Sequence, residues 1–202
     1  MMAMTILYPV GEHLYVNLTN RCPCSCTFCI RQNGDGAYGS DSLWLEHDPD
    51  LEEVKAAFAN WNLSDFTELV FCGYGEPTEA LLLLCEAARY AKTLPGCPPV
   101  RLNTNGLSDL IHGVPTAHFL EGLVDTVSVS LNAGTKEAYL AVTRPKWDTA
   151  FEAMQKFACD CKQYVQKVMF TVVDVIPEEE IEAAQKLAES LGIPLRVRKY
   201  DS

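Results

Sequence analysis

Three cysteines lie close together near the N-terminus, with the spacing C-x3-C-x2-C. They are Cys22, Cys26 and Cys29, and the aromatic residue Phe28 directly precedes the last of them. Thiolates this close in sequence can bind one iron–sulfur cluster, and a cubane [4Fe–4S] cluster needs four ligands. A loop that supplies only three ligands leaves one iron open. The spacing therefore predicts a cluster whose fourth position is available to a small molecule.

A structural zinc site is the main alternative for these cysteines. Zinc in such a site takes four ligands, and apart from Cys24 inside the loop no fourth Cys or His stands at a usual spacing. We interpret Cys24 as a thiol that does not bind the metal. The other five cysteines are scattered and do not form a second four-cysteine pattern: Cys72, Cys85, Cys97, Cys159 and Cys161.

The composition predicts one domain, residues 1–202, because 48% hydrophobic residues in a chain of this length can build one large core. Nine cysteines, an odd count, indicate a reducing compartment, since secreted disulfide frameworks are usually short and paired. No apolar run reaches the roughly 18 residues that span a bilayer, and the start lacks a signal-peptide pattern. We therefore expect a cytoplasmic protein without a membrane segment.

The charge of the chain argues against nucleic acid as a partner. The formal net charge is −11 at pH 7, whereas proteins that bind phosphate backbones usually present a basic face.

Short β-like runs alternate with helical patterns along the chain. Strands are predicted at 14–18, 68–72, 100–105, 126–131, 168–173 and 195–198. Helices are predicted to begin at Asp48 with Pro49 in the first turn, and to cover 79–92, 147–165 and 177–191, while a short one starts near Gly134. Six such units predict parallel βαβ connections. The pattern fits a barrel or a doubly wound sheet, and either places the site at the carboxyl ends of the strands.

Polar motifs follow three of the predicted strands. They are Gly73-Tyr74-Gly75-Glu76-Pro77 after the second strand, Asn103-Thr104-Asn105-Gly106 after the third and Ser130-Leu131-Asn132 at the end of the fourth. Glycine lets a ligand approach the backbone, and a carboxylate accepts hydrogen bonds from an ammonium group. Gly-Glu-Pro and Asn-Gly are also ordinary turn sequences. Polar residues inside a barrel are costly unless they serve a ligand.

These motifs together resemble the radical S-adenosylmethionine (radical SAM) superfamily, over residues 14–199. The resemblance implies an α/β fold, an open partial (β/α)6 TIM-type barrel in a single domain, with the cluster loop at residues 19–47. It implies that Cys22, Cys26 and Cys29 bind a [4Fe–4S] cluster and that S-adenosylmethionine binds the open iron. Tyr74 departs from the family's Gly-Gly-Glu-Pro motif, in the manner of the Gly-x-Gly-Glu-Pro form. The implied contacts to S-adenosylmethionine are Phe28, Gly75, Glu76, Pro77, Asn103, Ser130 and Asn132.

The resemblance also implies an enzyme that reductively cleaves S-adenosylmethionine to a 5′-deoxyadenosyl radical and abstracts hydrogen from a substrate. An electron donor such as flavodoxin or ferredoxin would supply the electron. The chain is most similar to small radical SAM proteins linked with TatD-type hydrolases, whose substrate is not established. The TatD-type hydrolase pathway is thus the implied source of a partner.

Several interpretations of the function stay open. The substrate is a glycyl-radical polypeptide, as for an activase, or a small molecule, as for a deazaguanine-type enzyme. An RNA methyltransferase is less favoured, because it would need an RNA-binding extension and a basic face, and we expect neither. A non-catalytic iron–sulfur binding module is the least favoured reading, since the cofactor motifs are intact.

Individual residues also keep two interpretations. Cys72, at the end of the second predicted strand, is either a catalytic hydrogen-atom donor or a small buried apolar side chain. Arg144, Arg196 and Arg198 either bind an anion or form charged surface. The loop 31–47 is either a lid over the site or a simple connection.

Overall fold

Seven strands form one sheet in which each strand lies beside its neighbour in the chain. The computed structural model describes residues 4–200, so residues 1–3 and 201–202 of the predicted domain lie outside the described residues. The first two strands, β1 (Leu7–Val10) and β2 (His13–Val16), form an antiparallel hairpin. Five more strands continue in parallel from β2: β3 (Glu68–Phe71), β4 (Val100–Thr104), β5 (Thr126–Ser130), β6 (Lys167–Val173) and β7 (Leu195–Arg198).

The strand order decides between the two sheet types that the sequence left open. A doubly wound sheet reverses its strand order at one point, but here the order runs from β1 to β7 without a reversal, and the two end strands are not paired with each other within residues 4–200. The sheet is therefore an open partial barrel, as the family resemblance implied.

The predicted number of strands is wrong by one, because β1 was not recognised. Pro9 lies within this strand. Because proline has no N–H to donate to a neighbouring strand, its presence in a sequence argues against a strand. An edge strand tolerates it, since one side of an edge strand needs no ladder hydrogen bonds. The six predicted parallel strands all occur within two residues of their expected bounds.

Six α-helices connect the strands: α1 (Leu51–Phe58), α2 (Leu81–Ala91), α3 (Ser108–His112), α4 (Lys136–Thr143), α5 (Ala150–Cys161) and α6 (Glu178–Leu191). The predicted N-cap of α1 at Asp48 is wrong. The cap is Asp50, which accepts a hydrogen bond from the Glu53 N–H at 2.9 Å, while its own N–H donates to the Glu53 carboxylate at 3.0 Å. This reciprocal capping box fixes the helix start more strongly than proline alone.

The two faces of the sheet have opposite character. The outer face packs against the helices and is mostly apolar and buried; it includes Leu14, Val16, Leu69, Phe71, Leu102, Val127, Val129, Phe170 and Val172. The inner face, which alternates with it along each strand, carries Tyr15, Arg101, Asn103, Ser128, Ser130 and Thr171. The interior of the barrel is thus polar, and a polar interior is costly without hydrogen-bonding partners or a ligand.

No helix in the described part of the chain is both long enough and apolar enough to cross a membrane.

Candidate active site

The carboxyl ends of the parallel strands surround a cavity of about 260 Å³. Every site residue predicted from the sequence lines this cavity: Cys22, Cys26, Phe28, Cys29, Cys72, Gly75, Glu76, Pro77, Asn103, Ser130 and Asn132. These residues come from four separate loops or strand ends, spread over more than half of the chain. The fold therefore brings the cysteine loop and the three polar motifs to one place.

The three predicted cluster ligands lie beside a guanidinium group. Arg31 donates a hydrogen bond from its Nε to the Cys29 sulfur at 3.3 Å, and its Nη1 donates to the Asn20 carbonyl oxygen at 3.3 Å. The same positive charge acts on the Cys22 and Cys26 thiols. A nearby cation favours the thiolate, which is the form that binds metal.

Cys24 lies between two of the predicted ligands and is buried. Hydrogen bonds with its thiol lower the pKa of Cys22 and Cys26, whereas the pKa of Cys24 itself is raised by the same two hydrogen bonds. A raised pKa disfavours the thiolate form of Cys24, which is the form that binds metal. This arrangement supports the prediction that Cys24 is not a metal ligand.

The cysteine arrangement fits an iron–sulfur cluster better than a single metal ion. Within residues 4–200, no three His, Cys, Asp or Glu side chains are placed to hold one ion. In a cubane cluster each thiolate binds its own iron, so the body of the cluster holds the ligand sulfurs apart. Cys22, Cys26 and Cys29 all line the same cavity, and Arg31 lies beside Cys29, as binding to one cluster requires.

Two glycines allow the segment after β3 to touch the cysteine loop directly. A β-carbon at Gly75 would lie 2.2 Å from the Thr19 carbonyl oxygen, and one at Gly73 would lie 2.1 Å from Asn17 Oδ1. The Glu76 N–H donates to the Arg21 carbonyl oxygen at 2.8 Å and fixes the same contact. Both glycines are therefore required, Gly73 by the nearby Asn17 side chain and Gly75 by the nearby Thr19 backbone. The close contact places Glu76 beside the start of the cysteine loop.

Glu76 is a buried carboxylate that joins the segments after β3 and β4. Its Oε1 accepts hydrogen bonds from the Thr78 N–H at 3.1 Å, the Thr78 hydroxyl at 2.8 Å and the Thr104 hydroxyl at 2.7 Å. Its Oε2 accepts only the Asn105 N–H, at 2.7 Å. Burial raises the pKa of Glu76, and these four donors oppose that shift. Within residues 4–200, Oε1 thus accepts three hydrogen bonds and Oε2 accepts one, so Oε2 is the oxygen that can accept a further donor from the cavity.

Asn103 and Asn132 are also arranged as ligand contacts. The Asn103 Oδ1 atom is buried without a hydrogen-bond partner in the described residues, and such an acceptor costs about 1–3 kcal/mol unless a donor reaches it. Asn132 has a φ of +62°, a backbone conformation that asparagine adopts more readily than most residues. The Leu131 N–H holds this turn by donating to the Thr171 carbonyl oxygen at 2.9 Å.

Tyr74, which departs from the family motif, anchors the long loop after the cysteines. Its hydroxyl donates to the Gly34 carbonyl oxygen at 2.7 Å, and its ring meets the Trp44 ring edge-on at 5.1 Å. Ala37 and Leu43 pack in the same small cluster and also line the cavity. Of the two interpretations for the loop 31–47, these contacts favour a cover over the site.

The arginines singled out from the sequence do not share one location. Arg198 lines the cavity, whereas Arg196, two residues earlier on the same face, is exposed and does not. Arg144 is exposed and ends α4 in the left-handed conformation, with a φ of +47°. The charged-surface interpretation of Arg144 therefore fits the structure. Ser128 is buried beneath the cavity and does not line it.

Two tyrosines at the site were missed by sequence reasoning. Tyr8 on β1 and Tyr15 on β2 lie opposite each other in the hairpin, with ring centroids 5.4 Å apart, and both line the cavity. Burial raises the pKa of Tyr15 to about 12. The alternation of Tyr15 with the apolar residues Leu14 and Val16 was the available signal, because it assigns the tyrosine to the opposite face.

This arrangement is that of enzymes that bind S-adenosylmethionine at an iron–sulfur cluster with one open iron. The chain belongs to the radical SAM superfamily: the family model described as "Radical SAM superfamily" matches residues 16–191. The cofactors are therefore a [4Fe–4S] cluster and S-adenosylmethionine, and the chain is an enzyme of this superfamily.

Solved structures share the fold at low sequence identity. The native anSMEcpe protein with bound AdoMet is 20% identical with a TM-score of 0.62, covering 93% of this chain and 51% of that protein. Streptococcus suis SuiB bound to S-adenosylmethionine is 16% identical with a TM-score of 0.67, covering 95% and 41%. HydG, a maturase of the [FeFe]-hydrogenase, is 13% identical with a TM-score of 0.63, covering 94% and 42%.

The chain thus spans about half or less of the length of these solved proteins. None of the curated proteins matches its sequence significantly.

Proposed function

We propose that this enzyme abstracts a hydrogen atom from a small-molecule substrate held inside the barrel. The observation that carries the proposal is the meeting of the three-cysteine loop, Glu76 and the polar ends of β4 and β5 at one cavity. When bound, the reduced cluster and S-adenosylmethionine supply the 5′-deoxyadenosyl radical that abstracts the hydrogen.

The described side chains divide the binding of the cofactors among them. Cys22, Cys26 and Cys29 provide the thiolates, and Arg31 offsets their negative charge. Glu76 Oε2 accepts a hydrogen bond from the ammonium group of S-adenosylmethionine, a charge-assisted contact. The remaining contacts of the cofactor are assigned to Phe28, Gly75, Pro77, Asn103, Ser130 and Asn132, where the unpaired Asn103 Oδ1 is suited to a ribose hydroxyl.

A small molecule fits the site better than a polypeptide segment. The anchored loop 31–47 covers one side of the cavity and narrows the access to it. This supports a small-molecule enzyme over a glycyl-radical activase. The electron donor is proposed to be a flavodoxin or a ferredoxin. A link to the TatD-type hydrolase pathway is proposed on the resemblance of residues 71–78 alone.

The test of this function is reductive cleavage of S-adenosylmethionine. The protein is reconstituted anaerobically with iron and sulfide, and then supplied with dithionite and S-adenosylmethionine. We expect 5′-deoxyadenosine, measured by chromatography, only when the reductant is present. An intact [4Fe–4S] cluster that binds S-adenosylmethionine and still yields no nucleoside with the reductant would contradict the proposal.

Cys72 is proposed as a hydrogen-atom donor inside the cavity. Burial raises the pKa of its thiol and keeps the S–H bond intact, against a hydrogen bond from Asn103 that lowers the pKa. In this step the S–H bond breaks, a C–H bond forms on the substrate radical, and a thiyl radical remains. One electron from the reductant and one proton then restore the thiol.

A deuterium experiment tests whether Cys72 is within reach of the radical. In D2O the exchanged Cys72 S–D can pass deuterium to 5′-deoxyadenosine when substrate is absent, and mass spectrometry measures the label. We expect Cys72→Ala to lower the deuterium content, and Cys85→Ala, which replaces a cysteine on α2 outside the cavity, to leave it unchanged. Equal labelling in both variants would remove Cys72 from the mechanism.

A further inference from the structure

The inner face of the sheet carries more cations than carboxylates, although the protein is strongly acidic. The strand register places four cations on the inner face: Arg101, Lys167, Arg196 and Arg198. In the described strands, Glu68 is the only carboxylate on that face. With a net charge of −11 for the whole chain, this excess of cations is a local feature rather than a consequence of composition.

Glu68 is already engaged at the lower end of the barrel. Its Oε2 atom lies 2.9 Å from Arg101 Nη2 and 3.6 Å from His13 Nδ1. Arg101 is about nine-tenths buried, and its Nε has no hydrogen-bond partner in the described residues. Glu68 therefore leaves at least one N–H donor of Arg101 without a partner. Glu68 also lies at the amino end of its strand, too far from Arg198 at the carboxyl end of β7 to form an ion pair with it.

Arg198 is an exposed residue that lines the cavity and has no ion-pair partner within residues 4–200. It lines the cavity opposite its register partner Val173, and Lys199 lines the cavity beside it. None of the ion pairs formed within residues 4–200 includes Arg198. The positive charges of Arg198 and Arg101 both act on the Cys72 thiol, which lines the same cavity.

We propose that the substrate is a small molecule with a compact anionic group, a carboxylate or a phosphate, that binds to Arg198 inside the barrel. The inference rests on the proposed function and names its substrate class. The planar guanidinium of Arg198 can bind either group through two parallel hydrogen bonds. Arg101, lower on the same sheet face, adds positive charge whose effect reaches the cavity residue Cys72, and positive charge near a cleft attracts ligands of the opposite sign.

The anionic group also sets the position of the rest of the substrate. A group fixed at the end of β7 places the attached carbon skeleton over the barrel interior, where Cys72, Asn103 and Thr171 line the cavity. In the sheet, β7 is separated by four strands from β2, the strand that precedes the cysteine loop. Arg198 would then act as a substrate-binding residue, and Arg101 as a positioning residue that acts through the field.

Binding of simple anions tests the inference without radical chemistry. The reconstituted protein, saturated with S-adenosylmethionine and without reductant, is titrated calorimetrically with malonate, inorganic phosphate and the neutral malonamide. We expect malonate or phosphate to bind saturably and malonamide not to bind. The anion that binds better identifies the group. Arg198→Gln should weaken this binding about tenfold or more, as expected for the loss of a charged hydrogen-bonding partner.

Arg196→Gln is the matched control, since it makes the same charge change on the same strand face outside the cavity. It should leave anion binding nearly unchanged. Three results would overturn the inference: no saturable binding of either anion, equal weakening in both variants, or a loss of affinity for S-adenosylmethionine itself in Arg198→Gln. Formation of 5′-deoxyadenosine is measured separately, so a failure of the proposed function is distinguished from a failure of this inference.

Discussion

Cys26→Ala is expected to abolish cluster binding and 5′-deoxyadenosine formation, whereas Cys24→Ala should retain both. With only three protein ligands for the cluster, the loss of one leaves two irons without a protein ligand. Cys24 lies two residues away, and its raised pKa disfavours the thiolate form that binds metal. The measurement is iron and sulfide content after anaerobic reconstitution, together with the charge-transfer absorption of the cluster.

Cys24→Ala is a demanding control, because it removes a thiol from the same loop. Hydrogen bonds to the ligand sulfurs help to set the reduction potential of an iron–sulfur cluster, and a hydrogen bond stabilises the reduced, more negative state. Cys24→Ala should therefore lower the potential while the iron content stays the same. A loss of iron in Cys24→Ala equal to that in Cys26→Ala would show that Cys24 is a ligand and that the spacing was misread.

Glu76→Ala should cause the second large loss, in both stability and affinity for S-adenosylmethionine. The substitution leaves the buried N–H groups of Thr78 and Asn105 without their acceptor. We expect a loss of about 2 kcal/mol in the free energy of unfolding, or roughly 4–8 °C in Tm. Removing a carboxylate that faces an ammonium group should weaken cofactor binding by about tenfold or more.

Glu76→Gln separates shape from charge at this position. An amide has the size of the carboxylate, but its NH2 group must face either the Asn105 N–H or the donors from Thr78 and Thr104, and donors repel one another. Cofactor affinity should therefore fall nearly as far as in Glu76→Ala. Glu79→Gln is the control: it lies three residues on, pairs with Arg21 at 3.9 Å and does not line the cavity. Full cofactor affinity in Glu76→Gln would exclude an ionic contact to the ammonium group.

Much of the site could be predicted because its determinants are local in sequence. The three cysteines are within eight residues of one another, and Gly75, Glu76 and Pro77 are consecutive. Parallel strands bring their carboxyl ends together at one edge, so a motif after each strand is enough to predict one shared cavity. The parallel strands were equally accessible, because each is a short run of branched and aromatic residues between helical patterns.

What could not be predicted depends on contacts between distant segments. Tyr8 lines the cavity only because β1 folds back on β2. Strand β1 itself was not predicted, because it contains Pro9. Tyr74 was visible as a departure from the family motif, but its partner Gly34 lies 40 residues earlier. Arg196 and Arg198 differ in their position along β7, and only Arg198 is near enough to the carboxyl end of the strand to line the cavity. Alternation along the strand assigns both to one face and cannot separate them.

Tyr74 links the long loop 31–47 to the short segment that carries Glu76. Its hydroxyl holds the loop at Gly34, and Glu76, the proposed ligand of the cofactor, lies two residues further along a turn fixed by close backbone contact. With Glu76 in that proposed role, a displacement of this short turn on cofactor binding would also move the loop. A glycine at position 74 has no side chain to make the contact with Gly34, so Tyr74→Gly should remove the link between loop order and cofactor binding.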